Sequence, residues 1–201
     1  MRGTFLPRTL PWAAGALGLA VAALAAAYAV ETASLATAEP MTALPLAAAY
    51  EALSTRSIDS DPARAATFAR SALELRPVDA RAWLNLAILD TRAMKRLTPT
   101  ARVALQHSYD VAPYEPELIA DRLALDYDEW LELPADMREE AASEMRAAFP
   151  KQSKQLFAAA IHARTPRARM ALAMALLRMR VMDQMARSSP TPTPPPASLT
   201  P

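Results

Sequence analysis

The chain has no cysteine, only three glycines and only two histidines among its 201 residues. Without cysteine there is no disulfide framework, no thiolate zinc site, no thiol nucleophile and no lipidated cysteine. Few glycines together with abundant alanine and leucine favour helices over turns between strands, so the composition predicts an all-α protein. The formal net charge of +1 gives no reason to expect nucleic-acid binding, because duplex-binding domains are strongly basic.

Patterns that carry catalysis or metal binding are also missing. There is no Gly-rich phosphate loop and no serine in a nucleophile-elbow context. His107 and His162 lack a partner at a recognisable metal spacing, so we expect packing or surface roles. Residues 115–144 hold eleven carboxylates against Arg122 and Arg138. Such acids serve elsewhere as general acids and bases or as ligands of hard cations, but no calcium-loop pattern occurs and a solvated surface is expected. We expect no enzyme activity, cofactor or metal site.

Residues 10–30 form a run of 21 residues without a charge. At ~1.5 Å per residue, a helix of this length spans roughly 30 Å, the thickness of a bilayer core. Arginines precede the run and acids follow it, which places residues 1–9 in the cytoplasm and the rest outside. A cleaved secretory signal is the alternative, because residues 27–29 read Ala-Tyr-Ala. We expect a single-pass inner (plasma) membrane protein with a periplasmic C-terminal domain, in a bacterial cell.

The rest of the chain divides by composition. Residues 31–44 are a short polar and alanine-rich linker, and residues 45–187 carry helical patterns throughout. Residues 188–201 contain six prolines with serine and threonine and one large apolar residue, which predicts a flexible tail. The expected organisation is therefore an anchor, a linker, a helical domain and a tail.

Residues 61–77 and 80–90 predict two helices joined by a proline turn. Ser60 or Asp61 caps the first helix, and Pro62 lies in its first turn, where a missing amide hydrogen costs nothing. Pro77 ends this helix, because its ring excludes continuation of the hydrogen-bond ladder. Small or apolar residues recur at helical spacing on both helices: Ala65, Ala69, Ala72 and Leu73, then Trp83, Leu86, Ala87 and Leu89. Such a pair cannot bury its faces alone and predicts similar neighbours.

These residues resemble the tetratricopeptide repeat, a helix-turn-helix unit of 34 residues. The resemblance covers residues 45–130 and rests on a tryptophan, prolines and small residues in register: Ala65, Ala69, Ala72, Pro77, Trp83, Leu86, Ala87, Ala101, Leu105 and Pro113. The repeat is degenerate beyond Pro113, where Ile119 replaces the tryptophan and Arg122 the leucine. An irregular helical bundle is the alternative.

The resemblance implies a solenoid of antiparallel helical hairpins that binds another protein. Membrane-anchored proteins of this shape serve as adaptors or scaffolds in envelope assembly, such as surface-polysaccharide synthesis or cytochrome maturation. We therefore expect a protein partner and no nucleic acid, with an oligomeric state that the sequence leaves open.

Beyond the repeats, the pattern predicts helices over 134–149 and 151–163, separated by Pro150, and a last helix from Pro166 to about residue 186. Residues 164–187 carry six arginines against one aspartate, with methionines between them. One interpretation is a capping helix with an inward stripe of Met170, Met174, Leu177 and Val181. Another is a binding surface for a protein or for anionic lipid, formed by Arg167, Arg169, Arg178 and Arg180. A membrane-surface structural protein is accordingly the alternative function.

Overall fold

The computed structural model describes residues 46–188. In this range the chain forms seven α-helices and no β-strand, which confirms the all-α prediction. In chain order the helices are α1 Ala47–Ser57, α2 Pro62–Leu75, α3 Ala80–Met94, α4 Pro99–Val111, α5 Ile119–Asp128, α6 Ala135–His162 and α7 Pro166–Ser188. The predicted span at 10–30, the linker before residue 46 and the Pro-rich tail beyond Ser188 lie outside the described residues. None of the seven described helices is both long and apolar enough to cross a membrane.

The described residues fall into two compact units. The first comprises residues 46–94 and Val103–Val111, and the second comprises Lys95–Arg102 and residues 112–188. Helices α1, α2 and α3 pack against one another in the first unit. Helices α5, α6 and α7 do the same in the second. Each unit thus has its own set of three mutually packed helices.

Helix α2 begins and packs as its residues predict. The Asp61 carboxylate accepts a hydrogen bond from the Arg64 amide at 3.0 Å, and Pro62 is the first helical residue. The cap satisfies one of the amides that have no partner in a first helical turn. The alanines at positions 65, 69 and 72 are completely buried, and their small side chains allow the neighbouring helices to approach closely.

The turn between α2 and α3 is fixed by charges as well as by proline. Asp79, which is almost completely buried, accepts a hydrogen bond from the Ala82 amide at 3.0 Å and thereby caps α3. The Arg76 guanidinium pairs with Asp79 and also lies 3.4 Å from the Glu51 carboxylate on α1. Pro77 itself is exposed in this turn. Arg76 therefore joins the turn to α1.

The structure places Trp83 differently from the expectation of a core position. Trp83 and Leu86 are half-buried, whereas Leu84 is completely buried and Ala87 lies in the core. The Trp83 indole lies against the exposed His107 ring in a tilted arrangement, with centroids 4.7 Å apart, and its N–H donates to the Pro77 carbonyl at 2.9 Å. An indole with a polar edge is suited to such a half-buried position.

A buried polar contact joins α1 to α3. Asn85 is completely buried, and its Nδ2 donates to Ser54 Oγ at 3.1 Å and to Thr55 Oγ1 at 3.0 Å. Residues 54–60 are expected to form a loop, but α1 continues to Ser57. The hydroxyls of Ser54 and Thr55 thus accept the hydrogen bonds of an amide nitrogen about thirty positions later in the chain.

Helix α4 contains two of the predicted repeat residues, Ala101 and Leu105. Thr98 Oγ1 accepts from the Ala101 amide at 2.9 Å and caps the helix. Ala101 and Leu105 are completely buried, and the buried Ser108 donates its hydroxyl to the Ala80 carbonyl at 2.9 Å. Pro113, exposed, lies just beyond the end of α4.

The core of the second unit is formed by apolar residues from α5, α6 and α7. Its largest members are Ile119, Leu123, Met145, Phe149, Leu156, Leu172 and Leu176. The break predicted at Pro150 is present as a kink: two helical segments meet at Gln152, whose backbone angles are non-helical (φ −127°, ψ 23°), and together they form α6. A proline removes one ladder hydrogen bond and kinks a helix, and here the helix resumes after the kink.

The expectation of a fully solvated acidic surface at residues 115–144 is wrong at several positions. Asp126, Glu129 and Glu144 are buried, and so is Arg122. Arg122 donates to the Glu144 carboxylate at 2.8 Å and to the Ala112 carbonyl at 3.0 Å. The apolar stripe of α5 marks only one buried face, but every residue from 122 to 126 is buried. A short helix covered on several sides must bury its polar residues too.

Breaking this buried ion pair should strongly destabilise the second unit. In the Glu144→Ala variant, the buried Arg122 guanidinium loses its contact with the Glu144 carboxylate, and we expect the free energy of unfolding to fall by about 3–5 kcal/mol. The matched control is Glu139→Ala on the same helix, whose exposed pair with Arg146 should contribute no more than ~1 kcal/mol. Thermal and urea unfolding of the full chain, followed by circular dichroism, measure both. Equal tolerance at the two positions would contradict the assigned role of Glu144.

Candidate functional site: the exposed face of the last helix

The start of α7 is fixed by a threonine cap and by a carboxylate from α5. Thr165 Oγ1 accepts from the Ala168 amide at 3.1 Å, and Pro166 is the first helical residue. The Asp128 carboxylate accepts from the Arg164 amide at 2.9 Å and from the Thr165 amide at 2.8 Å. The last residue of α5 therefore holds the segment that leads into α7.

Two guanidinium groups strengthen this junction. The Arg164 side chain pairs with Glu129 at 2.8 Å and with Asp128 at 3.5 Å. Arg169 donates to the Ala163 carbonyl at 2.9 Å and to the Arg164 carbonyl at 3.1 Å. Of the four arginines predicted as a binding surface, Arg169 thus binds the backbone at the end of α6. These contacts fix the direction of α7 at its first turn.

Burial and charge oppose each other at Glu129. Burial raises the pKa of its carboxyl above the ordinary value of 4.5, the Arg164 charge lowers it, and the neighbouring acids Glu132 and Asp128 raise it again. The net result is a raised pKa. A raised pKa means that the folded state disfavours the ionised carboxylate relative to the unfolded chain.

The inward face of α7 consists of small and aliphatic residues. Ala168, Leu172 and Leu176 are completely or almost completely buried and recur every four residues. The expectation that Met170, Met174, Leu177 and Val181 pack inward is wrong, because they are 66%, 46%, 46% and 47% exposed. The helix carries two apolar stripes, and the Ala/Leu stripe is the one that packs against α5 and α6.

The second apolar stripe lies on the solvent side. We name Met170, Met174, Leu177, Val181 and Met185 the exposed stripe; all five are exposed. At 3.6 residues per turn they lie within an arc of about 80°, along roughly 22 Å of helix. A continuous apolar band of this kind on a charged helix is typical of an interaction surface.

Arginines border the exposed stripe on both sides. By helical position, Arg167 and Arg178 lie along one edge, and Arg180 and Arg187 lie along the other. Arg187 pairs with Asp183 at 2.8 Å. Within residues 46–188, Arg167, Arg178 and Arg180 form no hydrogen bond or ion pair. Three of the four arginines predicted as a binding surface are therefore free to bind another molecule.

The C-terminal half of α7 has little support from the unit. No residue of this fully described helix after Leu176 is buried, and Met179 and Asp183 are only half-buried. Among the described residues, clefts lie beside the helix at both of its ends. The smaller has a volume of about 440 Å³ and is lined by Tyr127, Trp130, Thr165 and Arg167 among others, with the two aromatic rings stacked 4.8 Å apart. The larger lies between α6 and the C-terminal half of α7.

The structure describes no metal-binding cluster. Among residues 46–188, no three His, Asp or Glu side chains are placed to hold a metal ion. His107 and His162 are both exposed. The residues around α7 offer apolar surface and positive charge, which are suited to binding.

Titration of Glu129 should make the stability of the second unit depend on pH. Because its pKa is higher in the folded state, the protonated form favours folding, and stability should fall as the pH rises from 4.5 through the folded pKa. We expect Glu129→Gln to flatten the melting temperature across this window, and Glu139→Gln to leave the profile as it is. Melting curves of the full chain between pH 4 and 7, by circular dichroism, measure this. An unchanged profile in Glu129→Gln would contradict the assignment.

Comparison of the chain with protein-family models, with curated proteins and with solved structures finds no match. The resemblance to the tetratricopeptide repeat therefore rests on the residues that carry it, and the function is argued from the surface of α7.

Proposed function

We propose that the protein is an adaptor or scaffold of the inner membrane whose helical part binds another protein through the exposed stripe of α7. In this proposal residues 10–30 form the anchor and the helical units lie in the periplasm. The observation that carries the proposal is the exposed stripe together with three arginines that have no partner within residues 46–188. The resemblance to the tetratricopeptide repeat supports protein binding in envelope assembly, for example in surface-polysaccharide synthesis or cytochrome maturation. No catalysis is part of the proposal.

The chemistry of the stripe favours an acidic amphipathic helix as the partner. The exposed stripe has residue spacings of four, three, four and four, close to the repeat by which two helices pack side by side. Arginines border such a seam where a partner helix presents its flanking side chains. Carboxylates at those positions would form paired hydrogen bonds with the planar guanidinium groups. The partner helix therefore combines an apolar stripe with acidic edges.

A second copy of α7 is a poor occupant of this surface. Pairing two identical helices would place arginine edges close to arginine edges, and such like charges repel.

A lipid surface is the other alternative. Helices that lie in a membrane interface typically use Trp, Phe and Leu on the apolar face, whereas α7 has no aromatic residue and its exposed stripe contains three methionines. Flexible thioethers are over-represented at protein surfaces that bind helical partners. Composition thus favours a protein over an anionic bilayer.

Charge reversal of the free arginines tests the proposal. The variant carries Arg167→Glu, Arg178→Glu and Arg180→Glu, and the matched control carries Arg56→Glu, Arg70→Glu and Arg96→Glu, which are exposed residues on or beside α1, α2 and α3. Each lost pair contributes up to ~1 kcal/mol and like charges are added, so crosslinked partner recovered from native membranes should fall by about tenfold or more. The control should retain the partner, and the melting temperatures of both variants should stay close to that of the unaltered chain.

Two results would contradict the proposal. One is a crosslinking pattern that is the same in the α7 variant and in the unaltered chain. The other is loss of binding to anionic vesicles in the α7 variant while every protein crosslink persists, which would assign the surface to lipid. Salt gives a further distinction, since lipid attraction through arginines weakens with ionic strength whereas a mainly apolar seam is less sensitive.

A further inference from the structure

The larger cleft beside α7 is a separate feature from the exposed stripe. It has a volume of about 680 Å³ and lies between residues 149–161 of α6 and residues 180–187 of α7. Helix α6 bends at Gln152, and α7 has no buried residue after Leu176. The two helices thus leave an open space at this end. Its volume falls within the range of small-molecule sites, roughly 300–1,000 Å³.

The wall that α6 contributes combines apolar side chains with the polar Ser153 and Lys154. Phe149 is buried at the base, Phe157 is half-buried and Ile161 is 74% exposed. An aliphatic side chain as exposed as Ile161, one helical turn from Phe157, loses contact with water when an apolar ligand lies against it. This wall therefore favours a hydrocarbon chain over a polar solute.

The edges of the same cleft are positively charged. Lys154 on α6 and Arg180 on α7 both line the cleft, and neither has a hydrogen bond or ion pair within residues 46–188. Arg187 lines it as well and is paired with Asp183. The rim carries three cations and one carboxylate, so two positive charges lack a counter-charge inside the cleft. An anionic group placed between Lys154 and Arg180 would interact favourably with both.

We propose that this cleft binds a single-chain lipid with an anionic headgroup. The hydrocarbon chain lies against Phe157 and Ile161, and the headgroup lies between Lys154 and Arg180. A protein helix does not fit within the space, because one helical turn of ~10 Å diameter occupies roughly 420 Å³. The cleft would enclose fewer than two turns. A single extended acyl chain fits it without displacing either helix.

Photo-crosslinking with a chemically defined probe tests this proposal. The full chain is reconstituted in discs of zwitterionic lipid and exposed to a photoreactive myristate, and the crosslinks are mapped by peptide mass spectrometry. We expect crosslinks to concentrate on residues 155–161. Photoreactive tetradecanol, which has the same chain length but no charge, should label this segment about 25-fold less, since two charge-assisted contacts that each contribute about fivefold are missing.

Variants of α6 supply the matched comparison. Lys154→Gln should lower labelling of residues 155–161 by about fivefold, and Ala158→Trp should block the cleft and abolish it. Lys151→Gln, at an exposed lysine of α6 that does not line the cleft, should leave labelling unchanged. Melting temperatures of all variants establish that the fold is intact. Lys154 is exposed, so its replacement alters no buried contact and should not unfold the protein.

Two outcomes would overturn the proposal. Equal labelling by myristate and tetradecanol would show that charge has no role in the site. Crosslinks spread along the exposed stripe, and unaffected by Lys154→Gln or Ala158→Trp, would show that the probe binds apolar surface in general. Because Lys154 lies outside the surface proposed for protein binding, its variant separates failure of the lipid site from failure of the adaptor proposal.

Discussion

The hydrogen bonds from the Arg164 and Thr165 amides to the Asp128 carboxylate are the constraint on which the surface of α7 depends. They join the end of α5 to the start of α7 across 36 and 37 residues of sequence. With its first turn held there, α7 turns its Ala/Leu face toward α5 and α6 and leaves its methionines outside. If α7 were rotated by half a turn about its own axis, the exposed stripe would be buried. The fixed junction therefore contributes to keeping the exposed stripe outside.

Local chemistry made most of the helices predictable. A capping residue followed by proline marks the starts of α2 and α7, at Asp61 and Thr165, and both caps are present. The alanines of α2 recur at helical spacing because only small side chains permit close helix packing, and they are completely buried. Signals of this kind depend on neighbouring residues alone, so the sequence contains them in full. Pro150 is a further signal of this kind, since the chain kinks two residues after it, at Gln152.

The parts that could not be predicted depend on residues far apart in the chain. Two apolar stripes on α7 are equally regular, and the contacts of α7 with α5 and α6, including the Asp128 junction, determine which one is buried. The buried pair of Arg122 and Glu144 reads as surface charge in the sequence, because each residue finds its partner 22 positions away. The arginines bordering α7 were predictable as a cluster from charge alone. Only the structure shows that Arg169 binds backbone carbonyls, whereas Arg167, Arg178 and Arg180 form no hydrogen bond or ion pair with residues 46–188.

Single-cysteine labelling tests the central claim most directly, because the chain has no cysteine to give background. Met174→Cys lies on the exposed stripe and Leu172→Cys on the buried face. We expect a maleimide to react rapidly with Met174→Cys in the purified chain and in protein-free anionic vesicles. The same variant should react slowly in native membranes, where the partner covers it. Leu172→Cys should hardly react in any of these samples. Rapid reaction of Met174→Cys in native membranes would contradict the claim that another protein covers α7.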